Sequence, residues 1–181
     1  MTRIVNGINV DELEKIIGQI EGDPERAKFT IRTETEWKTG CLSKTFIKRS
    51  SKVENDGHPF VVESDEPPAL LGSDLAPNAV EFVLHGLASC LAVGFALRAA
   101  HSGMEIKRLK FFLAGDIDLN NFFGFSEEVR PGLQNVNVKC QIETNSSPEE
   151  VESLLMEVLK RSAVMDVVKN EVPISVELLK G

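Results

Sequence analysis

The stretch that decides the fold is residues 78–103, NAVEFVLHGLASCLAVGFALRAAHSG, the longest run in the chain that can form one buried helix. Residues with capping properties mark both ends of this helix. Asn78 can cap the N-terminus with Glu81 at the third helical position, and Gly103 suits the left-handed residue that follows a helix. Such a helix would be roughly 36 Å long, about the width of a small domain. Because residues 82–100 are apolar nearly all round, we expect neighbouring elements to enclose the helix on all sides.

One thiol, that of Cys90, lies near the middle of this helix. Gly86 and Gly94 lie one turn before and one turn after it, so two glycines and a thiol form a ridge along one face. A glycine inside a helix costs about 1 kcal/mol relative to alanine, which indicates that another group comes close to this ridge. Two interpretations follow: a second helix packs there and Cys90 is a small core residue, or a ligand reaches the sulfur.

The composition of the chain limits the classes of protein to which it can belong. The chain has 181 residues, enough for a sizeable core, and a formal net charge of −8, which argues against nucleic acid or an anionic membrane as a partner. His85 and Arg98 interrupt the apolar run, so we interpret it as a core helix that does not span a membrane. Three cysteines without a CxxC pair predict neither a disulfide framework nor a metal site, and we expect no cofactor. These features favour a reduced, cytoplasmic protein.

Helical and alternating apolar patterns predict the remaining elements. In chain order they are a helix over residues 10–21, a hairpin over 28–48 with its turn at 38–40, a loop over 49–58, a strand over 60–63, an ordered loop over 66–74, strands over 106–117 and 133–144, helices opening at 147 and 162, and a closing strand over 172–179. Runs of strands separated by unequal helices indicate an α+β fold with antiparallel sheets packed on the long helix. We expect a single domain over residues 1–181, with 1–24 as an N-terminal helical extension.

The other two cysteines receive structural interpretations. Cys140 shares one strand face with apolar residues at every second position, so we expect it to be an inert core residue. Cys41 lies at the turn of the predicted hairpin and is expected to be partly exposed. A disulfide between Cys41 and Cys90 is conceivable, but we favour two free thiols.

The loop over residues 120–132, NNFFGFSEEVRPG, contains three phenylalanines, whereas connecting segments are mostly polar. Two interpretations are open. The rings cover a pocket as a lid, or they plug the edge of the core. The plug is slightly favoured.

Two segments carry a resemblance to a known family. Residues 77–82 (PNAVEF) with 87–91 (LASCL) resemble the P-N-P-x-E…A-x-x-C segment of the OsmC/Ohr family, the osmotically induced and organic hydroperoxide resistance proteins. Residues 162–164 and 172–174 resemble that family's second segment, C-P-V…VP(I/V), and the resemblance covers most of the chain after about residue 35. It implies an intertwined α+β homodimer whose central helices are enclosed by sheets from both subunits. It also implies reduction of organic hydroperoxides by one cysteine, with a second cysteine resolving the sulfenic acid as a disulfide.

Only part of the family's site carries over to this chain. Cys90 matches the cysteine that attacks the peroxide. Ser162 stands where the resolving cysteine would be, and a hydroxyl cannot form a disulfide. The family's carboxylate lies ten residues before the cysteine, whereas Glu81 lies nine before it, on the opposite face of the same helix. Glu81 is therefore either a catalytic candidate or only the helix cap, and we favour the cap.

The resemblance also implies an arginine near the first hairpin that pairs with the thiolate. Residues 39–44 contain Cys41 and Lys44 but no arginine, which leaves Arg32 and Arg49 open. An apolar helix raises the pKa of a thiol, so Cys90 needs a cation from elsewhere in the assembly to be a good nucleophile. With one, a one-cysteine mechanism follows, in which an external thiol reduces the sulfenic acid. The alternative is a non-catalytic small-molecule-binding protein of the same fold.

Overall fold

A computed structural model describes residues 2–48 and 59–180. Its helices are α1 (Val10–Gly22), α2 (Ala79–Ser102), α3 (Pro148–Arg161) and α4 (Ala163–Lys169). Its strands are β1 (Ile4–Val5), β2 (Ile8–Asn9), β3 (Arg32–Thr39), β4 (Leu42–Lys48), β5 (Phe60–Ser64), β6 (Ile106–Ile117) and β7 (Leu133–Thr144). Every strand pair is antiparallel, in the sheets β1-β2, β3-β4-β5 and β6-β7. The α+β class is therefore confirmed, while the loop expected over 49–58, with Arg49, lies outside the described residues.

The chain divides into two compact units, and the single domain over residues 1–181 stays a prediction. One unit comprises Met1–Val10 with Gly86–Gly181, and the other comprises Asp11–His85. The first holds the β1-β2 and β6-β7 pairs with α3 and α4, and the second holds α1 and the three-stranded sheet. Helix α2 begins in the second unit and continues into the first.

The N-terminal residues differ from the expected helical extension, because β1 and β2 form a hairpin ahead of α1. Asn6 and Gly7 make its turn with φ angles of 52° and 76°, the left-handed conformation for which an Asn-Gly pair is favoured. The Asn6 side chain donates to the Met104 carbonyl at 2.9 Å and accepts the Ile106 N–H at 2.8 Å. These bonds tie the hairpin to the beginning of β6.

The core of the first unit is built on one face of α2. Gly94 marks the closest approach, since a Cβ added there would lie 3.0 Å from a methyl carbon of Val158 on α3. Of the two interpretations left open for the glycine ridge, packing of a second helix holds at Gly94, whereas a Cβ at Gly86 would meet nothing within 4 Å. The Phe95 ring also packs on that of Phe111 in β6, with centroids 5.7 Å apart. The buried core residues are Leu87, Leu91, Phe95, Ala99, Met104, Leu154 and Val158.

The opposite face of α2 is exposed in the single chain, so its enclosure on all sides stays an expectation for a dimer. Val83, Val93 and Leu97 are 44%, 57% and 37% exposed. The reason is that the core cluster meets only the row of α2 residues spaced four apart. Among the helices of the described ranges, α2 alone is long and apolar enough to cross a membrane, by length and composition only.

The C-terminal residues 171–180 have no secondary structure, so the predicted closing strand is wrong for this single chain. Its alternating residues Val172, Ile174, Val176 and Leu178 are all exposed, three of them by 85% or more. The alternation is typical of a strand, but a strand forms only where another strand offers its edge for hydrogen bonding.

The loop of phenylalanines does not plug the core, so the favoured interpretation is wrong. Phe122, Phe123 and Phe125 are 71%, 52% and 78% exposed. Their rings contact one another, with centroids 5.1 Å and 6.1 Å apart in the two adjacent pairs. Mutual contact covers part of each ring but leaves an aromatic cluster facing solvent.

The loop before α2 is ordered, as predicted, around one buried carboxylate. Asp65 is 2% exposed and accepts the backbone N–H groups of Glu66, Ser73 and Leu75 at 2.9, 3.0 and 3.3 Å. Burial raises the pKa of Asp65, but these three hydrogen bonds outweigh it and hold the pKa below its usual range. The ionised carboxylate fixes the path of the chain from β5 towards α2.

Candidate functional site

Both ends of α2 form as the sequence predicts. The Asn78 side-chain oxygen accepts the Glu81 N–H at 2.9 Å, and the Glu81 carboxylate accepts the Asn78 N–H at 2.8 Å. At the other end Gly103 has a φ of +77°, and the Met104 N–H donates to the Ala99 carbonyl at 2.8 Å. The contact that the structure gives Glu81 is therefore that of a cap, and its catalytic role stays a prediction.

Ser162 meets the sulfur of Cys90. It is the one residue between α3 and α4, it is 6% exposed, and its Oγ donates to Cys90 Sγ at 3.2 Å. The same oxygen accepts the Met165 N–H at 3.2 Å, which makes Ser162 the N-cap of α4. The sequence singles out Ser162 only because it stands where the family has its resolving cysteine. It does not predict the contact between Ser162 and Cys90.

Hydrogen bonds give the half-buried Cys90 thiol an unusual acidity. Burial raises the pKa of Cys90, but hydrogen bonds from the Ser162 hydroxyl and from the N–H groups of Val164 and Ala163 lower it further than burial raises it. The net result is a pKa below the ordinary value of a thiol. Donors aimed at a sulfur favour its charged form, and partial exposure leaves a path for a reactant. Burial raises this pKa as the sequence predicts, but the neutral donors, which it does not predict, outweigh burial.

The donors that lower the pKa of Cys90 are neutral, whereas the sequence predicts that a cation is needed. Of the expected candidates, Arg32 belongs to the unit of residues 11–85, and Arg49 lies outside the described residues. Lys44 pairs with Glu63 at 3.4 Å. Within the described ranges, the thiolate is therefore stabilised by a hydroxyl and two peptide N–H groups.

The other cysteines are free thiols with different surroundings. Cys140 packs against the core cluster, opposite Phe111 in the β6-β7 register, and burial raises its pKa. Its place in the core is as predicted, and its inertness stays a prediction. The Cys41 thiol donates to the Leu70 carbonyl at 3.5 Å and is half-buried. Cys90 therefore differs from Cys140 in the direction of its pKa shift.

Comparison with solved structures identifies the fold. The chain is similar to an OsmC-like protein from Mycoplasma pneumoniae, with 18% identity over 78% of this chain and 87% of that one, and a TM-score of 0.59. An OsmC-like protein of unknown function from Vibrio cholerae gives 12% identity over 78% and 95% of the two chains and a TM-score of 0.60. An organic hydroperoxide resistance protein OsmC from Legionella pneumophila gives 12% identity, coverages of 77% and 89%, and a TM-score of 0.54. Identities this low establish the fold alone.

The family is established by a comparison of the sequence with family models. The model described as OsmC-like protein matches residues 72–177, more than half of the chain. A comparison with curated proteins gives no match. The matched range includes α2 with Cys90 and the α3–α4 junction with Ser162. The chain therefore belongs to the OsmC-like family.

Proposed function

We propose that this protein is a one-cysteine, thiol-dependent peroxidase that reduces organic hydroperoxides through Cys90. The observation that carries the proposal is the half-buried Cys90 sulfur facing three hydrogen-bond donors, which lower its pKa. A thiolate is the attacking form of cysteine, and a lowered pKa increases its share near neutral pH. The similar Legionella protein, named for organic hydroperoxide resistance, is consistent with this chemistry.

The proposed reaction has two stages. The Cys90 thiolate attacks the terminal peroxide oxygen, the S–O bond forms as the O–O bond breaks, and the alkoxide takes a proton to leave as an alcohol. An external thiol then attacks the sulfenic sulfur, releasing water and leaving a mixed disulfide. A second external thiol restores Cys90 and leaves as the oxidised reductant. The apolar neighbours Leu87 and Leu91, both buried, favour organic hydroperoxides over hydrogen peroxide.

The test is consumption of cumene hydroperoxide with dithiothreitol as the external thiol. The Cys90→Ser variant should fall to the background rate, whereas Cys41→Ser should retain the wild-type rate because Cys41 contacts a loop carbonyl. Since the pKa of Cys90 is lowered, the rate should reach half its maximum at a lower pH than the ordinary titration of a thiol. Equal rates for the wild type and Cys90→Ser would overturn the proposal and leave a small-molecule-binding function for the same site.

We also propose that the working form is a homodimer in the cytoplasm. The support is apolar surface that a single chain leaves exposed: one face of α2, the alternating C-terminal residues, and the isoleucines of α1 at 16, 17 and 20. Monomeric soluble proteins rarely expose large apolar patches, and a second copy is the partner that is always available. The copy would cover α2 and offer a strand edge to residues 172–179.

The dimer is tested by the mass in solution. Sedimentation velocity at micromolar concentration should give about twice the 19.9 kDa of one chain. A double variant, Val93→Glu with Leu97→Glu, places charges on the exposed face of α2 and should shift the mass towards one chain, whereas Lys107→Glu on β6 should leave it unchanged. A monomeric wild type, or one that sediments with lipid vesicles, would overturn the proposed dimer.

A further inference from the structure

We propose that Ser162 is a positioning residue for the proposed reaction: its hydroxyl holds the Cys90 sulfur in place and stabilises it as thiolate, where a cation would otherwise be needed. This inference rests on the proposed function only for its use in catalysis. The hydrogen bond is a property of the resting protein and can be measured without any peroxide.

The direction of the hydrogen bond follows from the local fold. Ser162 Oγ accepts the Met165 N–H at 3.2 Å, so that bond occupies a lone pair of the oxygen. The hydroxyl proton is then free to point at Cys90 Sγ, also at 3.2 Å. Because Ser162 is the sole link between α3 and α4 and is 6% exposed, both helices fix its position. The donor is therefore held in place before the sulfur is charged.

Serine performs two functions here that cysteine could not combine. An oxygen is a strong acceptor for the N-cap bond and a strong donor towards a thiolate, whereas a thiol is weak in both roles. A hydrogen bond to a charged group is stronger than one between neutral groups, so the hydroxyl favours thiolate over thiol. A serine at this position cannot form a disulfide with Cys90, but it stabilises the Cys90 nucleophile.

Two charged side chains close to Ser162 in sequence each have a partner. Arg161, its neighbour at the end of α3, pairs with Glu157. Asp166 in α4 accepts the Asn170 side-chain N–H at 2.7 Å. On α2 the titratable side chain nearest to Cys90 in sequence is His85, which has contacts of its own. The Ser162 hydroxyl and the Ala163 and Val164 N–H groups are the donors that lower the pKa of Cys90.

The experiment is alkylation of the folded protein by iodoacetamide across pH, read peptide by peptide by mass spectrometry. Removing the donor with Ser162→Ala should move the Cys90 midpoint upwards by about one pH unit or more, the size expected for a hydrogen bond to a charged group. Ser162→Gly keeps a tolerated N-cap residue without the hydroxyl and without an added charge, so it should raise the midpoint about as far as Ser162→Ala and covers the case in which Ser162→Ala does not fold. Ser162→Thr keeps both the cap and the donor and should restore the wild-type midpoint.

Ser147 provides a matched control for a merely structural role. It is the N-cap of α3, accepting the Glu150 N–H at 3.2 Å, and it is part of a capping box. Ser147→Ala should therefore reduce stability as Ser162→Ala does, yet leave the Cys90 midpoint unchanged. Cys140, with a pKa raised by burial, should alkylate slowly in every variant.

The outcomes separate the positioning role from the proposed function. Equal Cys90 midpoints in the wild type, Ser162→Ala and Ser162→Gly would overturn the role of Ser162, whatever the peroxidase assay gives. An upward shift in a protein that consumes no cumene hydroperoxide would support the role of Ser162 and reject the peroxidase. The pH midpoint and the turnover rate are thus independent readouts.

Discussion

Ser162→Cys is expected to convert this chain into one that forms an internal disulfide with Cys90 on oxidation. The two side-chain atoms are 3.2 Å apart in the wild type, and a disulfide bond is about 2.05 Å long, so a movement of about 1 Å brings the sulfurs together. In the proposed reaction, one equivalent of cumene hydroperoxide oxidises Cys90 to a sulfenic acid. The introduced thiol then attacks that sulfur and releases water, so two thiols and one peroxide give a disulfide, an alcohol and water.

The measurement is a count of free thiols before and after the peroxide is added, which should fall by two in Ser162→Cys. The bridge joins residues 72 positions apart, and closing a loop of that length stabilises the folded state by about 4 kcal/mol in the chain-entropy model. Urea unfolding with and without a reductant gives that difference.

Ser102→Cys is the matched control, since Ser102 ends the same helix but lies roughly 18 Å along its axis from Cys90. It should gain a free thiol without forming an internal bridge. If Ser162→Cys retained all of its thiols even with a general thiol oxidant such as diamide, the contact between positions 90 and 162 would be wrong.

Phe95→Ala is expected to lower the free energy of unfolding by about 3–5 kcal/mol, the loss typical of a buried phenylalanine replaced by alanine. Phe95 is 0% exposed, is the largest of the fully buried side chains, and contacts the Phe111 ring. Its removal leaves a cavity between α2 and β6 that close-packed neighbours fill only in part.

The loss is measured by urea unfolding at one fixed protein concentration, since dimerisation would add a concentration-dependent term. Phe112→Ala is the control, because Phe112 follows Phe111 on β6 but is 55% exposed. It should lose well under half as much stability. Equal losses in the two variants would contradict the assignment of the core to the Phe95 face of α2.

Local patterns in the sequence were sufficient for most elements of the fold. The strands over residues 106–117 and 133–144 have the predicted bounds, because their side chains alternate between core and solvent. The hairpin at residues 4–9 was missed, although its Asn6-Gly7 pair is a strong turn signal, because its strands are only two residues long. The closing strand over 172–179 was predicted from alternation alone, which does not reveal whether a partner edge exists.

The candidate site was only half predictable. Cys90 was identified from its place on a capped apolar helix and from the motif around it. The sequence shows only the apolar helix around Cys90, and such a helix raises the pKa of a thiol, so the sequence predicts that Cys90 needs a cation. The donors lie in a one-residue junction between two short helices, and peptide N–H groups are present at almost every position, so no spacing pattern marks them.

The sequence by itself determined where α2 begins and ends and where along it the thiol lies, because caps and helical periodicity act over a few residues. Only the tertiary structure decided what that thiol faces. Ser162 reaches Cys90 from 72 positions further along the chain, when α3 packs against Gly94 and brings the junction with α4 to the sulfur. A pKa depends on the atoms within a few ångströms, and packing brings those atoms together from distant parts of the chain.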